Sequence, residues 1–124
     1  MKMHDGAGRI SDSELLVMQQ LWTAGMPLSA AELQQRLADR WDGSTVKTLL
    51  RRLCAKGAAG TEKREVQYFR PLISQKEYAK FAARELINRV YGGSARNLVA
   101  SLVDAGDFSE TELKELRSLL HGEK

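Results

Sequence analysis

Apolar residues recur at helical spacing in six stretches of this chain, with polar or glycine-containing breaks between them. The first stretch puts Leu15, Met18, Leu21 and Trp22 on one face, which predicts a helix from about Asp12 to Ala24 that Gly25 and Pro27 end. A shorter helix carrying Leu33 and Leu37 is expected to start at Ser29. After the linker Arg40 to Gly43, Ser44 is expected to cap a third helix, in which Val46, Leu49, Leu50 and Leu53 face inward and which Gly57 stops. Helix starts carry a second mark. Ser followed three residues later by Glu occurs at Ser11/Glu14, Ser29/Glu32, Ser74/Glu77 and Ser109/Glu112, the spacing at which each side chain can cap the other residue's backbone amide.

Between the third and fourth helices the period changes. Ala58 to Glu62 and Gln67 to Arg70 flank a polar tip, Lys63 to Glu65, and Val66, Tyr68 and Phe69 favour strand, so a two-stranded hairpin closed by Pro71 is expected. Three short helices followed by such a hairpin make a winged helix-turn-helix. The fourth helix, about Gln75 to Tyr91, spreads Tyr78, Phe81, Leu86, Ile87, Val90 and Tyr91 over more than half its circumference, too wide for packing on one side only. A fifth helix from Ser94 aligns Leu98, Val99, Leu102 and Val103, and a sixth after Ser109 aligns Leu113, Leu116 and Leu120. Some fifty residues cannot bury those stripes alone, and a two-fold dimer is the economical solution. The fold class is therefore mainly α with a small β-hairpin: a winged-helix domain over residues 1–72 and a three-helix dimerisation segment over residues 73–124. Tyr91, Leu98, Leu102, Leu113, Leu116 and Leu120 are the candidate dimer contacts.

The net charge of +3 looks unremarkable until it is divided along the chain. Up to Leu72 there are 11 Lys and Arg against 8 Asp and Glu, and after it 8 against 8. From Lys47 to Arg64 six basic residues face Glu62 alone, which makes a polyanion the natural partner. In a helix-turn-helix the second helix of the pair lies in the major groove. That helix is the third here, and its inward face leaves Ser44, Thr45, Lys47, Thr48 and Arg51 outward with Arg52 on the flank. The threonines can bond bases or phosphates and offer a methyl to thymine, while Lys47 and Arg51 suit guanine or the backbone. Lys63 and Arg64 at the hairpin tip are placed for backbone or minor groove. Double-stranded DNA is the expected partner.

Other chemistry is poorly provided for. His4 and His121 stand far apart without clustered ligands, so neither a metal nor a cofactor is assigned. Cys54 is the sole cysteine, which excludes an internal disulfide. No histidine stands beside a nucleophile and no phosphate-cradling loop is present, so an enzyme is not expected. The first eight residues hold no apolar run, and a cytoplasmic protein without membrane insertion is expected. Two alternatives from other classes are a winged-helix protein-interaction module and a thiol-responsive regulator acting through Cys54.

The run from Ser44 to Leu53, Lys56-Gly57, Gln67 to Pro71, Gly92 to Ser94, Leu98 to Val103 and Glu112 to Leu116 closely resemble the BlaI/MecI family of penicillinase repressors, from Ile10 to Leu120 and in the same order. The resemblance implies a homodimer on an inverted-repeat operator upstream of β-lactamase or related genes, released when a membrane-bound sensor protease leads to cleavage in the dimerisation half. It places Thr45, Lys47, Thr48 and Arg52 on DNA-reading positions. Gly43 and Ser44 stand where staphylococcal members have proline and lysine. The family's cleaved Asn-Phe bond falls on Ser101-Leu102, and no cysteine-rich tail like that of the copper-responsive relatives follows Leu119.

Overall fold

The computed structural model describes residues 10–121. His4 and the opening residues used for the cytoplasmic expectation lie outside them. The elements run α1 (Asp12–Ala24), β1 (Leu28–Ser29), α2 (Ala30–Arg36), α3 (Gly43–Ala55), β2 (Ala59–Lys63), β3 (Gln67–Pro71), α4 (Gln75–Val90), α5 (Ala95–Asp104) and α6 (Glu110–Leu120). All four Ser/Glu pairs form reciprocal capping boxes: each serine hydroxyl accepts from the glutamate's amide, and each glutamate accepts from the serine's. Such caps contribute about 1 kcal/mol each. Ser94 caps α5 by accepting from Asn97 N at 3.1 Å.

The third helix begins differently from expectation. Asp42, not Ser44, is its N-cap, with the carboxylate accepting from Thr45 N at 2.9 Å, and Ser44 lies inside the first turn. Asp and Ser cap about equally well, so the tie is decided elsewhere. Starting at Asp42 puts Trp41 just before the cap and Val46 four residues after it, the two positions of a hydrophobic staple, and Trp41 packs against the core that holds Val46.

The hairpin also gains a partner. β2 and β3 pair antiparallel with Thr61 opposite Phe69 and Lys63 opposite Gln67, and β1 pairs with the other edge of β3, Leu28 opposite Phe69. The sheet order is β1-β3-β2, so Tyr68 and Phe69 lie on the central strand. Lys63 therefore ends a strand, and the turn itself is Arg64 to Val66, one residue later than expected. Ser29 has two roles, pairing with Tyr68 and capping α2, which ties the hairpin to the start of the helix-turn-helix.

Two compact units divide between Ala82 and Ala83, inside α4. The first has a continuous core: Val17, Met18 and Leu21 of α1, Leu33 of α2, the inward face of α3, and Ala58, Phe69 and Ile73. Trp22 donates from Nε1 to the Ile73 carbonyl at 2.9 Å, and its ring lies 6.0 Å from Tyr78, so the first turn of α4 is held to α1. In the second unit the helices form as expected but bury little. Ile87 is the one buried residue there among those described, and α5 and α6 have none.

Candidate nucleic-acid interface

Helix α3 is fixed at both ends and along one side. Val46, Leu49, Leu50 and Leu53 are buried against the core. At its N-terminus Gly43 lies against the Gln34 side chain of α2, where a Cβ would sit 2.9 Å from Cδ and the flexible amide would have to move aside. At its C-terminus Gly57 adopts φ 79°, a left-handed turn that glycine accepts without strain. Just before it, Lys56 donates to Glu14 Oε1 at 2.6 Å. Glu14 is only 2% exposed although it opens α1. Burial pushes its carboxyl pKa up, but the Lys56 ammonium, the Ser11 amide and the Arg52 charge outweigh that and hold it below its ordinary value of 4.5. A buried carboxylate thus joins the start of α1 to the end of α3.

The outward side of α3 presents the expected groups. Ser44, Lys47, Arg51 and Arg52 are exposed, and Thr45 and Thr48 are half-buried. Some of these groups are already engaged within the chain. Ser44 Oγ donates to Asp42 Oδ1 at 2.9 Å, and Thr48 Oγ1 donates to the Ser44 carbonyl at 3.0 Å. Arg52 acts electrostatically on Glu14 and so lies toward α1, whereas Lys47 and Arg51 line a groove on the opposite flank. That groove encloses about 560 Å³ between α2, α3 and the hairpin, with Gln34, Val66 and Gln67 on its other walls. Two cations and two amides facing one groove suit a sugar-phosphate backbone and base edges.

The hairpin cations are not equivalent. Lys63 is exposed, with no ion pair among the described residues, while Arg64 pairs with Glu62 at 2.7 Å and lies 5.2 Å from the centre of the Tyr68 ring. Arg70 also reaches Glu62, at 4.0 Å. Glu62 thus neutralises part of the hairpin's positive charge, and Lys56 is spent on Glu14.

Of the candidate dimer contacts, Tyr91, Leu98, Leu102 and Leu116 are half-buried, Leu113 is 37% exposed and Leu120 is 70% exposed. Val90, Val103 and Leu119 are exposed beside them. Ser101 and Leu102 lie within α5, where the Ser101 carbonyl accepts from Ala105 N at 3.0 Å. Cys54 is half-buried on α3, and burial pushes its thiol pKa up, which lowers the thiolate fraction that a redox sensor needs. Three residues of the site escaped sequence reasoning: Asp42, Gln34 and Gln67. The Trp41-Asp42 pair before Val46 was the available signal for the first; nothing local marked the other two.

Three helices with a basic-faced third, followed by a hairpin that shares a groove with it, define a winged helix-turn-helix protein. The model of the penicillinase repressor family matches residues 10–122, and the chain belongs to that family of transcriptional repressors. It is 29% identical over 119 residues to the penicillinase repressor of Bacillus licheniformis, spanning 94% of this chain and 92% of that protein. It is 30% identical over 115 residues to the methicillin resistance regulatory protein MecI of Mammaliicoccus sciuri, spanning 90% and 93%. A 16.5 kDa protein of Latilactobacillus sakei is 31% identical over 121 residues, spanning 95% and 82%. Among the described residues no helix is long and apolar enough to cross a membrane, and no cluster of three metal-ligating side chains occurs.

Proposed function

We propose that this chain is a sequence-specific DNA-binding repressor that acts in the cytoplasm as a homodimer on an inverted-repeat operator. The winged domain, residues 1–72, reads DNA, and residues 73–124 couple two copies. One observation carries the reading: the exposed side of α3 offers hydroxyls and cations in a row, and Lys47 and Arg51 share a groove with the hairpin. Ser44, Thr45, Lys47, Thr48, Arg51 and Arg52 contact the major groove, and Lys63 makes the main hairpin contact to phosphate. The names of the relatives direct the regulated genes to β-lactamase and β-lactam response.

Selection of bound duplexes from a random pool tests the reading. The expected product is a palindrome whose half-sites lie one helical turn or a multiple apart. Neutralising roughly 6 to 10 phosphates should cost about a thousandfold or more in affinity between 50 and 200 mM salt. No recovered consensus, together with binding that ignores salt, would reject it. Release by a membrane-bound sensor protease at Ser101-Leu102 completes the proposal. Because that bond lies inside α5, cleavage requires the helix to open locally, and a fragment ending at Ser101 in mass spectra of induced cells is the expected trace.

A further inference from the structure

We propose that Gln34 of α2 is a DNA contact in its own right, its carboxamide donating to a backbone phosphate of the operator, and that the bare Cα of Gly43 is what seats it there. This rests on the reading of α3 given above. Gln34 is half-buried and lines the groove that Lys47 and Arg51 line from α3 and Gln67 from the hairpin. Among the described residues its amide has no hydrogen-bond partner, yet neither its nitrogen nor its oxygen is sealed from solvent. A polar group that loses water without gaining a partner costs free energy. Filling the groove takes that water away, so the amide is satisfied only if the occupant bonds it.

The shape of a duplex identifies the occupant. A major groove and the minor groove beside it are separated by one sugar-phosphate strand. With α3 in the first and the hairpin tip at the second, the cleft between them holds that strand. Phosphate oxygens are acceptors, Lys47 and Arg51 supply the charge that draws them in, and a glutamine N–H is among the groups that bond them. Gly43 fixes the amide's place. A Cβ there would lie 2.9 Å from both Cδ and Oε1 of Gln34 and 3.1 Å from Nε2, so any side chain at this position turns the amide aside. Gly43 is not among the glycines with positive φ, and alanine therefore suits its backbone.

The test measures binding of the selected operator by the whole chain and by its Gln34→Met, Gly43→Ala and doubly substituted forms. Methionine keeps the length of glutamine and has no N–H, so the unfolding midpoint should hardly move. Each single variant should weaken binding about tenfold, the scale of a hydrogen bond to a charged group. The double variant should be no weaker than either, because both changes remove one bond. The operator and its single-base variants should weaken alike, since a phosphate carries no sequence. No charge is lost, so the salt dependence should stay that of wild type, whereas removing a phosphate-bound lysine lowers it by about one contact. Binding by Gln34→Met equal to wild type, a loss confined to one base pair of the consensus, or losses that add in the double variant would each overturn this inference and leave the reading of α3 standing. A wild type that recovers no consensus and ignores salt overturns that reading, and this inference with it.

Discussion

The two units of the chain form helices by the same local rules and use them differently. Up to Ala82, amphipathic stripes meet one another, and Val17, Met18, Leu33, Val46 and Leu53 leave essentially no surface in water. After Ala83, stripes of similar quality on α5 and α6 bury no residue. Local signals make a helix, but only a partner surface makes a core, because most helical stability comes from burying the apolar face. The first unit carries its partner surfaces within itself. The second does not, and the proposed coupling of two copies would supply them.

The largest effect should come from breaking that dependence. Replacing Leu102 and Leu116 together with Asp is expected to give a monomer in sedimentation experiments and to lower operator affinity by about a hundredfold or more, the usual gain from linking two binding modules. Unfolding of the first unit should be unaffected.

Next in size is the buried pair that anchors α3. Lys56→Met leaves the Glu14 carboxylate uncompensated and should cost about 3 kcal/mol in chemical denaturation, whereas Glu14→Gln leaves an ammonium that keeps 30% of its surface in water and should cost less. The Glu14 pKa is lower in the folded chain than its ordinary 4.5. The pair's contribution is therefore complete above about that pH and is lost as pH falls through the folded value. Glu14→Gln should show a shallower acid destabilisation than wild type.

Smaller and confined to binding are the α3 cations. Lys47→Ala and Arg51→Ala should each weaken operator binding by about 1 to 3 kcal/mol without moving the unfolding midpoint. Least of all is the hairpin contrast. Lys63→Ala should reduce the salt dependence by about one phosphate contact, while Arg64→Ala, already paired with Glu62, should change it little. Equal effects would mean that the Glu62 pair opens on DNA.

Much of this was legible because it is local. Four Ser/Glu spacings gave four helix starts, and the 3.6-residue period of Val46, Leu49, Leu50 and Leu53 gave the outward face of α3 by subtraction. What stayed hidden depends on contacts between distant residues. Glu14 reads as half of a capping box and nothing in its neighbourhood announces Lys56, 42 positions away. β1 is two residues long and exists only because β3 has a free edge. Ser44 was the expected cap of α3, and Asp42 takes that place because the earlier start lets Trp41 reach the core. Arg64 was expected at the hairpin tip as a DNA contact, and the fold of the hairpin sets Tyr68 beside it while Glu62, two positions away, takes its charge.

Stoichiometry on DNA tests the central claim most directly. Sedimentation of the chain with a full palindromic site and with an isolated half-site should show two chains on the full site at low concentration and far weaker occupancy of the half-site. One chain bound equally well to either duplex would contradict the coupling of two recognition helices through residues 73–124.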